Sequence, residues 1–191
     1  MITGSFVRFD RRYVLLAFAL GVWIWIAYSI KTHSADHIIK ATIIQSKTPL
    51  RTIDSKVVPV KKETLWIDKL YFPVGNELRH PTYGYLGYKK NFVIYFDSVL
   101  DSLEDQEVTF AVYSDDGFRF WVDGKMVGEY PKDRPFRRSI VRVFLPKGEH
   151  RVRIKYFQGY GQLGIKVLFK TDKNSFKLFG TDLNTLKFVR Q

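Results

Sequence analysis

Few side chains in this chain are placed to do chemistry, and two pairs of neighbouring carboxylates stand out among them. Asp115-Asp116 lies in the break Ser114-Asp115-Asp116-Gly117, and Glu104-Asp105 lies in the stretch from Asp97 to Gln106, which reads as an acidic loop. Adjacent carboxylates can serve acid–base work, but a charge run such as Glu104-Asp105 reads first as a solvated turn. The four histidines, His33, His37, His80 and His150, have no nucleophile motif around them, and a serine-type hydrolase needs one. His33 and His37 are spaced to put two metal ligands on one helical face, yet neither a third ligand nor a base lies nearby in sequence. No glycine-rich phosphate loop with Lys and Ser or Thr is present either. Catalysis is therefore not expected. Lys132, Arg134, Arg137 and Arg138 gather around Phe136 as a basic interaction patch, and arginine suits planar anions such as phosphate or carboxylate; the alternative is a plain solvated loop.

The elements that must position Asp115 and Asp116 are strands. Val108, Phe110 and Val112 take every second position before the break, and Phe118, Phe120 and Val122 do so after it. That period belongs to a strand with one face in a core. Aspartates that bond to nearby amides and Gly117, which can take a positive φ, make the break a turn with a mechanism. Asp123-Gly124 is the strongest short hairpin signal and returns the chain through Lys125 to Val127. Asn91 to Phe96 is apolar on both faces and belongs in the middle of the packing. Ile140 to Leu145, Arg151 to Tyr156 and Gln162 to Phe169 supply three more strands. In the second of these Val152, Ile154 and Tyr156 face one way while Arg151, Arg153 and Lys155 form a cationic surface.

The run Ser114 to Lys125, the Pro146-Lys147-Gly148 turn, the strand Arg151 to Tyr156, and Gly159 and Gly161 before the strand Gln162 to Phe169 together resemble the protective-antigen domain family. This family is a β-sandwich found in adhesins, glycosidases and envelope proteins, and the likeness covers roughly Thr64 to Lys170. It implies a mainly β, antiparallel sandwich. It also implies that Asp115 and Asp116 could bind calcium, as adjacent aspartates do at this place in the sugar-binding branch, with glycan hydroxyls completing the shell. Calcium takes about six to eight oxygens and lets a ligand supply those the protein leaves open. Gln158 and Tyr160, in the segment Tyr156 to Gln162, are the nearest counterparts of a second glycan-contacting loop. The other use of such a turn is to shape the loop alone.

Tyr13 to Ile30 carries no charged residue over 18 positions, and as a helix would span about 27 Å against a hydrocarbon core of about 30 Å. A single-pass transmembrane helix is expected there. Arg8, Arg11 and Arg12 precede it and only Lys31 follows at once, which places residues 1–12 in the cytoplasm and the rest outside the inner membrane, in the periplasm. A cleaved signal peptide would share the basic start, but this apolar stretch is long and tryptophan-rich; a buried soluble helix would keep a polar face. Net charge is +12, nearly all of it beyond the apolar stretch, so an acidic neighbour such as lipid heads, glycan or a protein surface is implied. Nucleic acid is not expected as a partner of a domain facing away from it. With 46% hydrophobic residues and no cysteine, packing rather than disulfides builds the core.

Residues 31–62 read as a linker or extended segment with Pro49 and Pro59 confining any strand to an edge, and 63–191 as the sandwich, opening with a strand from Thr64 to Phe72. Gly75, Gly84 and Gly87 among Tyr83, Tyr85 and Tyr88 make a loop that could stack on sugar rings or cover one end of the sandwich. Phe176 to Phe179 is expected as a strand, and Thr181 to Val189 as a short helix. The functional expectation is a non-catalytic, membrane-anchored binding module. Either it docks on other envelope proteins, as a structural subunit of a secretion apparatus or flagellar motor, or it binds cell-wall glycan such as peptidoglycan with the help of calcium.

Overall fold

The computed structural model describes residues 11–33 and 38–190, and within the first of these the side chains of residue 13 and residues 15–26. The chain divides into two compact units, Met1–Ala35 and Asp36–Gln191. Among the described residues the first holds one helix, α1 (Arg11–His33). Its described side chains are all exposed, including Phe18, Trp23 and Trp25. Among the described residues no helix is long and apolar enough to cross a membrane. The expected span 13–30 runs past them, and residues 14 and 27–30 lie outside the described side chains, as do His33 and His37.

The second unit is built from β1 (Ile39–Ser46), β2 (Pro59–Ile67), β3 (Tyr71–Gly75), β4 (Arg79–His80), β5 (Gly84–Tyr85), β6 (Phe92–Ser102), β7 (Gln106–Asp115), β8 (Phe118–Val122), β9 (Lys125–Tyr130), β10 (Arg137–Leu145), β11 (Gly148–Gln158), β12 (Leu163–Thr171), β13 (Lys177–Leu178) and β14 (Leu186–Phe188). The larger sheet runs β2-β1-β6-β11-β8-β9, with β14 also on β6; the smaller runs β10-β7-β12-β13, with β3 also on β12. Every pairing is antiparallel. This is the expected mainly β, antiparallel sandwich.

Period-two alternation explains how the two sheets meet. Phe110 and Val112 of β7, Phe120 and Val122 of β8, Ile154 and Tyr156 of β11, and Ile165, Val167 and Phe169 of β12 all point into one core. At its centre Phe110 of the smaller sheet meets Phe120 of the larger edge-on, with centroids 4.9 Å apart and planes at 77°. Phe179 and Phe188 close the far end, 4.9 Å apart and at 84°. Asp123 and Gly124 both take positive φ, 51° and 77°, as the tight turn of the β8–β9 hairpin requires.

Four expectations are corrected. The supposed linker 31–62 contains β1, which lies inside the larger sheet between β2 and β6 with Ile39, Ala41 and Ile43 fully buried, so the sandwich begins well before residue 63. Proline confined only the rim: Pro59 is the first residue of edge strand β2, whose first six residues are exposed. The strand expected from Thr64 to Phe72 is broken at Asp68-Lys69, and its halves β2 and β3 join different sheets. Much of the stretch Asp97 to Gln106 is strand rather than loop, because Ser98 and Leu100 turn inward while Asp97 and Val99 turn out, and β6 therefore runs on to Ser102. The expected C-terminal helix is a turn followed by β14, where Leu186 and Phe188 pack inward and Asp182 accepts the amide of Phe188 at 2.9 Å.

The apolar face of β6 that the core does not use is covered as well. Val93 and Phe157 on the outside of the larger sheet pack under Leu50 and Ile53 of the β1–β2 connection. Phe110→Ala should lower unfolding free energy by roughly 3–5 kcal/mol in urea titration, since it opens a void between both sheets.

Candidate functional site

The paired aspartates lie where β7 ends and β8 begins. The positive φ expected of Gly117 falls instead on Asp116, at 62°, which aspartate tolerates better than most side chains. Glycine is required next, because a Cβ on Gly117 would overlap the carbonyl oxygens of Tyr130 and Lys132 and the ring of Phe157. The turn is thus wedged beneath the β9–β10 loop, and Thr52 pairs with Lys132 across the same corner.

Within this corner the carboxylate of Asp116 is turned inward. Its Oδ2 accepts the amide of Gly159 at 2.7 Å, and only 4% of the residue is exposed. The connection continues through backbone and side chain. The carbonyl of Gly159 accepts the amide of Asn91 at 2.8 Å, and Asn91 Oδ1 accepts the amide of Leu50 at 3.2 Å. Four separate segments are joined by these three bonds. Asn91 and Leu50 are the participants that the sequence did not reveal; Asn91 has a positive φ of 52°, and its place just before a strand was the available signal.

Arg134 holds the opposite side. Its Nη2 donates to Ser114 Oγ at 2.8 Å and its Nη1 to Ser139 Oγ at 2.9 Å, while the guanidinium lies 4.4 Å from the centre of the Tyr130 ring. Ser114 Oγ donates in turn to the carbonyl of Asp116 at 2.8 Å, and the amide of Asp116 donates to the carbonyl of Arg134 at 2.9 Å. The basic group Lys132, Arg134, Arg137 and Arg138 therefore divides: Arg134 braces the turn, and the other three are exposed.

Burial is the main cause of the electrostatics here. It pushes the Asp116 carboxyl up to about 6, against the bond from Gly159, with the nearby charges of Asp115 and Asp133 adding to the rise. Asp115 is raised by burial too, opposed by the backbone bond from Phe136. A buried carboxyl with one defined donor and such a shift is a candidate functional group, but the serine beside it is fully engaged. Among the described residues no group of three or more His, Asp or Glu side chains is placed to hold a metal ion. Asp115 and Asp116 are the two carboxylates that could contribute oxygens to calcium. For Asp116 these are Oδ1 or, if the bond to Gly159 is given up, Oδ2.

The two residues expected to meet a glycan part company. Gln158 is fully buried, accepting the Tyr156 hydroxyl at 2.6 Å and donating to the carbonyl of Gln162 at 2.7 Å. Tyr160 is 84% exposed, with Lys90 Nζ 5.7 Å from its ring centre. The tyrosine-rich loop is likewise divided. Tyr88 is buried and donates to Glu63 at 2.9 Å, whereas Tyr85 is partly exposed beneath Arg79 and Lys89. The other acidic pair is structural: Glu104 meets Lys173, and Asp105 accepts the amide of Lys147 at 2.7 Å.

No family model and no curated protein matches this sequence. Solved structures do match the fold. The PA14 sugar-binding domain from an RTX adhesin is 15% identical with a TM-score of 0.63, covering 76% of this chain and 96% of its own. The PA14 domain of the MpAFP antifreeze protein is 13% identical with a TM-score of 0.61, over 75% of this chain and 86% of its own. The A domain of epithelial adhesin 9 from Candida glabrata, solved with Galβ1-3GlcNAc, is 10% identical with a TM-score of 0.53, over 75% and 85%. At these identities the likeness is one of fold, and the fold is PA14-like.

The Asp116 shift has a definite sign. Because the folded state favours the neutral carboxyl, the stabilisation is complete below the unfolded value near 4 and is lost as pH rises through about 6, a change of up to about 3 kcal/mol. Asp116→Asn should flatten the stability profile between those limits while keeping an acceptor for Gly159. Asp116→Ala should instead cost roughly 1–3 kcal/mol at the acid end of that window by stranding the Gly159 amide; thermal denaturation across a pH series distinguishes the two.

Proposed function

We propose that this chain is a membrane-anchored, non-catalytic binding module, with α1 as a single-pass anchor in the inner membrane and the sandwich in the periplasm. There it serves as a structural or interaction subunit that docks on other proteins of an envelope assembly, such as a secretion apparatus or a flagellar motor. The observation that carries the anchor is the composition and exposure of α1. Its described side chains are uncharged and all exposed, and so large an apolar surface calls for a non-aqueous cover. The whole stretch 13–30 has no charge, and arginines crowd its N-terminal side, which favours a cytoplasmic N-terminus. Support for a binding role comes from the PA14-like fold, whose named neighbours are a sugar-binding domain and an adhesin domain.

A second reading, glycan or peptidoglycan binding, is favoured by Tyr160. It is an exposed ring next to the Gly159 turn that Asp116 holds, where a sugar face could stack. In this reading Asp115 and Asp116 supply calcium ligands and Tyr160 the aromatic contact, and Gln158 acts only from within.

Alkaline carbonate extraction should leave the full chain in the membrane pellet, and protease added outside spheroplasts should remove the sandwich. Release by carbonate, or a sandwich protected until lysis, would count against the anchored periplasmic arrangement. The two binding readings separate on peptidoglycan. Calcium-dependent retention of the detergent-solubilised chain, lost in Tyr160→Ala and Asp116→Ala, supports the glycan reading. Defined protein partners recovered by crosslinking, with no effect of calcium, support the scaffold.

A further inference from the structure

We propose that the outer face of the smaller sheet docks flat onto an anionic phospholipid surface. The residues of β10, β7 and β12 that point away from the core fall into cross-strand rows. Arg138 stands opposite Tyr113 and Tyr113 opposite Lys166; Ile140 opposite Ala111 and Ala111 opposite Leu168; Arg142 opposite Thr109 and Thr109 opposite Lys170. Phe144 pairs with Glu107 in the next row. Cationic, apolar and cationic rows therefore alternate, spaced by about 7 Å along the strands, with roughly 10 Å between the two outer strands; in the apolar row Ala111 is buried, Leu168 half-buried and Ile140 exposed.

Three observations select this face and this occupant. First, among the described residues none of Arg138, Arg142, Lys166 and Lys170 has an ion pair, and Glu107 is the one carboxylate in these rows. The outer face of the larger sheet is different. There an open groove lined by Lys40, Asp97, Arg119, Trp121 and Arg153 is largely self-neutralised, with Arg119 bound to Asp54 and Glu129, and Arg153 to Asp97. Second, Ile140 and Phe144 project from β10 among these charges, 43% and 63% exposed. Apolar side chains flanked by arginine and lysine suit an interface where the first enter the acyl boundary and the second meet phosphates. Third, of the two aromatic rings in the face one is already engaged and the other is bare. Tyr113 stacks on Phe136 at 5.9 Å, and Lys166 Nζ lies 4.6 Å from its centre, so Phe144, on the same strand as Ile140, is the ring of this face left open to enter an acyl boundary. Charge suits either polyanion, and it is the exposed Ile140 and Phe144 among the cations that favour lipid over an acidic polysaccharide.

This inference is separate from the role of α1, which carbonate extraction reads, and its test uses another signal. The chain has no cysteine, so Phe144→Cys gives a single attachment point for an environment-sensitive fluorophore on the full-length protein. Lys125→Cys, at the start of β9 in the other sheet, serves as the control. In vesicles containing phosphatidylglycerol the label at 144 should shift to the blue, and at 125 it should not; vesicles of phosphatidylcholine alone should leave both unchanged. High salt should reverse the shift. Each basic side chain near an anionic surface contributes roughly fivefold, so replacing Arg138, Arg142, Lys166 and Lys170 together by Gln should lower the docking equilibrium on the order of a hundredfold or more. The salt series on the otherwise unaltered chain tests the same point if that variant does not fold. Equal emission from neutral and anionic vesicles, or equal shifts at both positions, would overturn the proposal. So would a shift produced by soluble polygalacturonate and not by anionic vesicles, which would give the face to an acidic glycan.

Discussion

Alternate residues of β7 enter a layer of phenylalanine rings, and this pleat constraint decides where the other half of each strand must go. With Phe110 set against Phe120 from the opposite sheet, Thr109, Ala111 and Tyr113 have no choice but to face outward. The same holds for β12 around Phe169 and for β11 around Ile154. A one-residue slip in any of these ladders would exchange core for surface throughout the strand. The register is therefore what makes an outward face chemically definite, and both surfaces of the sandwich inherit their charge pattern from the core between them.

The parts of the fold that could be read from the amino-acid order are those in which local pattern and tertiary pairing agree. Val108 to Val122, with a turn in the middle and Asp123-Gly124 after it, declares two strands and a hairpin without reference to anything distant. β1 could not be read this way. Its isoleucine pairs, Ile38-Ile39 and Ile43-Ile44, look like isolated apolar spots between polar residues, and their meaning comes from partners some fifty positions on, Val93 to Asp97. The C-terminal segment misled for the opposite reason. Leu183, Leu186 and Val189 have helical spacing, but a short segment has little helix stability of its own, and pairing with Leu100 to Ser102 prevails.

The corner around Asp116 was half legible. The turn and its aspartates are plain in the sequence, as is Gly159. Their connection is not, because Asn91 and Leu50 enter it from loops far away in the chain. Nor could sequence separate Arg134 from its basic neighbours. Four cations in seven positions look like one patch, and only the folded corner shows that one of them faces serine hydroxyls and a tyrosine ring. Gln158 is a parallel case: a polar residue in a glycine-rich loop looks like a ligand contact, yet its amide is fully used inside the protein.

The rim formed by β2 has a consequence for assembly. Its exposed half begins with a proline, which withholds an amide, and continues through Lys61, Lys62 and Glu63. Such an edge discourages a neighbouring chain from adding itself as another strand. On that side the domain resists polymerising through its own ladder, so crowding many copies side by side would not zip their larger sheets together along this border.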